Sequence, residues 1–310
     1  MSARSNIEWT ETTWNPTTGC DRISPGCDNC YALTLAARLQ AMGSAKYQTD
    51  GDPRTSGPGF GLAVHDSVIG QPLWWRTPRL VFVNSMSDLG HARIPRAALA
   101  RIFAVMALTR RHQFQVLTKR PGRLARLLSS EAFQSAVAEQ ATDLISSRGW
   151  MRWQIDLGGQ RLAGDSGLGS GWTVADTPRW HTWVPPWPLP NLWLGTSIES
   201  DRYSPRADEL RQAPAAVRFI SAEPLLGGLP SLQLAGIDWV IAGGESGPRH
   251  RPLDLDWVRD LRERCAAEQV AFFFKQVGGR TPKAGGRLLD GRTHDDMPAT
   301  GEALTTAVTR

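Results

Sequence analysis

A chain of 310 residues with 41% hydrophobic and 21% charged positions has the composition of an ordinary α/β protein with ample core. No apolar run approaches the roughly 18–20 residues of a membrane span, and Met1–Trp14 lacks a signal-peptide core, so no membrane association and a cytoplasmic location are expected. The net charge of +5 suits a polyanionic partner such as nucleic acid, although arginine-rich codon usage produces the same excess.

The first informative segment is Gly19–Tyr31. It holds three of the four cysteines, Cys20, Cys27 and Cys30, spaced C-x6-C-x2-C around a Pro25-Gly26 turn. Three thiols on one short loop can grip one metal centre and leave a position open, as a catalytic cluster requires and a closed zinc site does not. Soft thiolates select an iron–sulfur cluster, zinc or Cu(I), and spacing alone does not separate them. An odd number of cysteines in the cluster, in a chain expected inside the cell, argues against disulfides. Cys265 lies in a distant helical stretch and does not obviously complete a four-thiolate set.

A helix over Tyr31–Ala41 follows, and then residues 43–71, rich in Gly, Pro, Asp and Ser, read as a long loop or lid. Strands are predicted at Leu80–Asn84, Phe114–Thr118, Leu192–Thr196, Arg218–Ala222, Trp239–Gly243 and Val270–Lys275. Helices are predicted over Pro95–Arg110, Arg123–Leu128, Ser204–Gln212 and Leu255–Glu268. Residues 130–190 interrupt this order as an insertion within a single domain spanning 1–310, with a Gly-rich stretch and Trp150, Trp153, Trp172, Trp180, Trp183 and Trp187. Clustered aromatics more often pack an insertion onto a core than stack bases or a ring substrate.

Near-continuous apolar strands alternating with helices indicate a parallel sheet buried on both faces. Almost every predicted strand ends in charged or hydroxyl residues: Ser85 and Asp88, Lys119 and Arg120, Ser197 and Glu199, Glu223, Glu245, and Lys275 with Gln276. Polar tips spread over all the strands favour a full or partial (β/α) TIM-like barrel, whose strand ends share one mouth, over an open sheet with one switch point. The six histidines show no metal-binding spacing.

These stretches together resemble the phage and bacterial three-cysteine-motif proteins of uncharacterised function, which are radical SAM-like. The resemblance rests on Trp14-Asn15-Pro16 with Gly19-Cys20 through Cys30-Tyr31-Ala32, Phe82–Asp88, Leu117–Pro121, Leu194–Glu199, Arg218–Leu225, Gly243–Gly247, Phe273–Gln276 and Leu289–Arg292. It implies a barrel of the radical SAM type with a [4Fe-4S] cluster on Cys20, Cys27 and Cys30. The open iron would bind S-adenosylmethionine, whose reductive cleavage yields a 5′-deoxyadenosyl radical. The first gap here is six residues, where the radical SAM signature usually has three.

On that basis Tyr31 is expected to pack on the cluster or the methionine moiety, and Ser85 and Asp88 to hold the amino group. Ser197 and Glu199 are assigned to the ribose hydroxyls, and Lys119 and Arg120 to the cofactor carboxylate or a substrate phosphate. Glu223, Glu245 and Lys275 would form a catalytic proton-transfer group, the alternative being a buried ion network. The leading reading is a radical SAM-type enzyme acting on a polar, nucleic-acid or nucleotide, substrate and served by an electron donor. Its alternative is a non-catalytic module that binds nucleic acid or a protein partner around a structural cluster or zinc. A third reading makes Glu223 and Glu245 the acid and base of a hydrolase or lyase.

Overall fold

The apolar runs become strands of one parallel sheet, in a computed structural model that describes residues 5, 7–147, 173–176, 181–281 and 284–299. The strands are β1 (Thr12–Trp14), β2 (Thr17–Thr18), β3 (Ala63–Val64), β4 (Leu80–Val83), β5 (Gln113–Thr118), β6 (Thr173–Asp176), β7 (His181–Val184), β8 (Leu192–Ser197), β9 (Val217–Ala222), β10 (Trp239–Gly243) and β11 (Ala271–Gln276). The helices are α1 (Tyr31–Ala41), α2 (Asp66–Ile69), α3 (Arg96–Leu108), α4 (Pro121–Leu128), α5 (Glu131–Ser147), α6 (Pro205–Arg211) and α7 (Leu255–Ala267).

The main sheet runs β1-β4-β5-β8-β9-β10-β11, parallel throughout, and its spatial order is its chain order. A doubly wound sheet reverses at a switch point; this one never does, which is the winding of a barrel. Seven strands curl without closing, because β1 and β11 are both edges. The architecture is a half-barrel, and a closed barrel is not formed. The β11 edge is covered by a bridge between Phe273 and Asp295, with Phe274 N donating to His294 O at 2.9 Å.

Alternation along the strands sorts two apolar layers. Val81, Val83, Phe114, Val116, Leu194, Ile220, Val240 and Phe274 belong to the large core, with buried residues of α3, α4, α6 and α7. Phe82, Trp193, Phe219, Trp239, Ile241 and Phe273 point to the concave side, where Trp9 from the N-terminal segment plugs them. The Trp9 ring lies 4.9 Å from Phe82 and 6.1 Å from Trp239.

Two elements differ from the sequence expectation. β1 is too short to show a period, yet it pairs with β4 because Trp14 buries completely and donates its indole N–H to Val68 O at 3.0 Å. The insertion begins as helix α5, whose Phe133, Val137 and Ala141 bury against the core, with Phe133 5.8 Å from Phe103. Trp183 and Trp187 are half-buried against that core, and Trp187 donates to Leu128 O at 2.9 Å. Trp150, Trp153, Trp172 and Trp180 lie outside the described residues. Among the described residues no helix is long and apolar enough to cross a membrane.

Candidate functional site

Strand parity carries the concave face onward to the C-terminal tips. Counting by twos from Leu117, Trp193, Phe219, Ile241 and Phe273, that face receives Lys119, Ser197 and Glu199, Ser221 and Glu223, Gly243 and Glu245, and Lys275. An aromatic floor therefore gives way to a polar mouth. A Cβ on Gly195 would stand 2.4 Å from the Phe219 ring, so glycine there lets that ring lie over β8. Lys275 is the extra residue of a β-bulge, since Ala242 pairs with Phe274 and Gly243 with Gln276. Its Nζ lies 2.5 Å from Glu223 Oε1.

The cysteine loop lies across the mouth, gripped by two strand-tip glutamates. Glu199 is fully buried; its Oε1 accepts from Ser24 Oγ at 2.5 Å and pairs with Lys119 Nζ at 2.8 Å, while Oε2 accepts from Arg206 Nη1 at 2.9 Å. Gly26 rests on this carboxylate, where a Cβ would stand 2.5 Å from Glu199 Cγ. Burial works to raise the Glu199 pKa, but Lys119, Ser24 and Arg206 prevail and hold it below the ordinary value.

On the other flank Glu245 Oε2 accepts from Asn29 Nδ2 at 3.0 Å and from Arg251 N and Nε at 2.9 Å each. Its Oε1 accepts from Arg251 Nη2 at 2.5 Å, and the same Nη2 donates to Pro25 O at 2.9 Å. Here too burial pushes the carboxyl up, and Arg251 and Asn29 bring it down further. Glu245 therefore does not join Lys275 and Glu223 as the sequence suggested. Its nearest cation is Arg251, six residues on.

The thiols sit among cations and apolar side chains. Arg120 Nη1 donates to Cys20 Sγ at 3.5 Å and to Asp88 Oδ2 at 2.7 Å, and Nη2 to Asp21 O at 3.1 Å. Burial, then Asp88, push the Cys20 thiol up to about 12; Arg120 opposes this and Cys27 adds to it. Burial also raises Cys30, with Cys27 adding and Lys119 opposing. Cys27 Sγ stands 3.8 Å from Ser24 Oγ. Cys20 and Cys30 pack on Ala32, Ala36, Tyr47, Phe60 and Met86.

Residues 43–71 pack beside this loop. Asp21 accepts from Thr55 Oγ1 at 3.0 Å and Ser56 Oγ at 2.7 Å, and contacts His91 Nε2 and Arg93 Nη2 at 2.9 Å each. Tyr31 donates from its hydroxyl to Ser85 O at 2.5 Å. It is 56% exposed, while the pKa of its hydroxyl is pushed up by burial, then by Cys30 and Glu223. Ser85 Oγ donates to Asn15 Oδ1 at 3.1 Å. Asp88 is taken up by Thr118 Oγ1 at 2.5 Å, Gly90 N at 2.8 Å, Lys119 N at 3.1 Å and Arg120. Ser197 is buried beside Glu199, and its carbonyl accepts from Arg206 Nη1 at 2.8 Å.

Tertiary contact thus brings together Lys119, Arg120, Asp88, Glu199 and Glu245 around the loop, and Tyr31, Glu223 and Lys275 beside it. Ser24, Asn29, Arg206 and Arg251 were not anticipated. Ser24 and Asn29 could have been noticed as polar residues inside the cysteine spacing; no pattern marks Arg206 or Arg251.

All four cysteines are free, and Cys265 is buried in α7 within the large core. Among the described residues no group of three or more His, Cys, Asp or Glu side chains is drawn together as a metal site. The donor set nevertheless fits a three-thiolate centre: three free, half-buried sulfurs on one braced loop, two cations to offset thiolate charge, and no fourth cysteine beside them.

A family model described as "Protein of unknown function (DUF5131)" matches residues 4–298. No curated protein matches the chain, and no solved structure does.

Proposed function

The chain belongs to that DUF5131 family, and within it we propose an iron–sulfur protein of the radical SAM type, with Cys20, Cys27 and Cys30 as ligands to a [4Fe-4S] cluster. The observation that carries this reading is the bracing of a three-thiol loop over the polar mouth of a half-barrel by Glu199 and Glu245. Such a cluster, when bound, supplies one-electron reduction of S-adenosylmethionine held at its open iron.

The chain's own residues then have separable duties. Glu199 and Glu245 hold the loop at the mouth, and Asp88 orders Lys119 and Arg120 against it. The apolar packing around Cys20 and Cys30 shields one side of them from water. Tyr31, Glu223 and Lys275 are the groups left to face a substrate, with Lys275 and Glu223 able to pass a proton between Nζ and Oε1. Net positive charge supports a polar, anionic substrate such as a nucleotide or nucleic acid, and the chemistry requires an electron donor.

Anaerobic reconstitution tests this. The expected product is a brown protein whose visible absorption disappears when Cys20, Cys27 and Cys30 become Ala, and which releases 5′-deoxyadenosine from S-adenosylmethionine under reductant. A colourless protein holding one zinc would overturn the cluster. A brown protein that never cleaves the cofactor, across several reductants, would retain the cluster and remove the enzyme.

A further inference from the structure

The Lys119-Arg120 dipeptide was expected to meet an external carboxylate or phosphate, but its guanidinium is already committed. Arg120 is mostly buried, with 17% of its side chain exposed, and reaches Cys20 Sγ, Asp88 Oδ2 and Asp21 O at once. Its backbone N–H donates to Thr118 Oγ1 at 2.9 Å, and Thr118 Oγ1 donates to Asp88. The guanidinium therefore has little freedom to turn toward a ligand in the mouth. Its position is decided by Asp88 before any metal arrives.

We propose that Arg120 is a positioning residue for the sulfur centre, fixing Cys20 through an N–H···S hydrogen bond and setting the electron affinity of the metal group bound there. This rests on the thiolate reading above. A hydrogen bond and a positive charge at a ligating sulfur stabilise the more negative, reduced state of the centre. Asp88 aims the guanidinium and partly offsets its charge, so the fork geometry of arginine matters as well as its sign. Lysine keeps the charge but cannot serve Asp88, Asp21 O and the sulfur from one rigid plane.

The test compares reconstituted wild type, Arg120→Gln and Arg120→Lys by redox titration, with iron and folded structure measured in each. Arg120→Gln is expected to lose about tenfold in preference for the reduced state, a lowering of about 59 mV for one electron, with Arg120→Lys recovering part of it. A fully loaded Arg120→Gln protein with the wild-type potential would overturn the assignment while leaving the cluster intact. Should Arg120→Gln take up no iron, cobalt(II) binding replaces the titration. Affinity is then expected to fall tenfold or more, with partial rescue by lysine, and equal affinities would overturn the proposal. Failure of all three proteins, wild type included, to bind either metal would instead remove the thiolate reading itself.

Discussion

Lys275 Nζ lies 2.5 Å from Glu223 Oε1, and the pair spans from β11 to β9 across the intervening strand at Gly243. A Cβ at Gly243 would lie 3.5 Å from Lys275 Cβ and 3.6 Å from Glu223 Cδ, so any side chain beyond alanine would crowd the bridge. Each partner keeps 18% of its side chain exposed, which leaves the pair open to a ligand in the mouth.

This pair is expected to matter more for reaction than for stability. Removing one charge, as in Lys275→Met, should cost about 1–2 kcal/mol in urea unfolding, and Glu223→Gln with Lys275→Met together should cost less than either alone. Both single variants should lose product formation while keeping bound iron. A double variant less stable than either single would contradict this account.

Gly26→Ala should displace the cysteine loop, because its Cβ would stand 2.5 Å from Glu199 Cγ and 2.6 Å from Oε1. Overpacking of this kind costs about 1–3 kcal/mol. Iron content after reconstitution should fall with it, whereas Gly43→Ala, where a Cβ meets nothing within 4 Å, should retain full iron. Gly43 has a positive φ of 75°, so that control should lose a little stability but no metal.

Acid should loosen the loop through its two glutamates. Both have pKa values lowered in the folded state, against the burial that alone would raise them. Their contribution is therefore complete above the ordinary glutamate value of 4.5 and is lost as pH falls through the depressed folded values. Glu199→Gln should be less stable than wild type at pH 7 and should show a flatter loss of stability below pH 4.5, followed by urea midpoints across pH. An unchanged acid limb would show that Glu199 does not hold the loop.

Trp9→Ala should destabilise the whole half-barrel by about 3–5 kcal/mol, because Trp9 closes the aromatic floor on Phe82, Phe219 and Trp239. Its indole Nε1 makes no hydrogen bond among the described residues. Trp9→Phe should therefore cost far less, about 1 kcal/mol, and thermal unfolding would separate the two.

The strand and helix order was legible because it rests on local pattern. The consecutive apolar residues Val81-Phe82-Val83 and Leu192-Trp193-Leu194 declare a sheet buried on both faces, and the polar residues after each strand declare where a mouth would lie. β1 and α5 escaped this reading. Three residues are too few to show a period, and α5 was hidden inside a segment whose glycines and tryptophans dominated its composition.

The candidate site was legible in its members and not in its pairings. Cys20, Cys27 and Cys30 stand out by spacing, and Lys119, Glu199, Glu223, Glu245 and Lys275 by their place at strand ends. That Lys275 meets Glu223, while Glu245 takes Arg251 and Asn29, depends on the strand order that sets β11 and β9 on either side of β10 and on the loop carrying Asn29. Neither leaves a mark on composition or periodicity.

By itself the sequence determined a parallel α/β chain with three loop thiols placed ahead of a series of polar strand tips, because burial and alternation act on neighbouring residues. Only the tertiary structure decided that the sheet stops at a half-barrel, that Glu199 and Glu245 brace the thiol loop, and that Arg120 turns to Cys20. Those contacts join residues 100 to 216 positions apart, and the curl of the sheet, not local propensity, brings them within hydrogen-bonding distance.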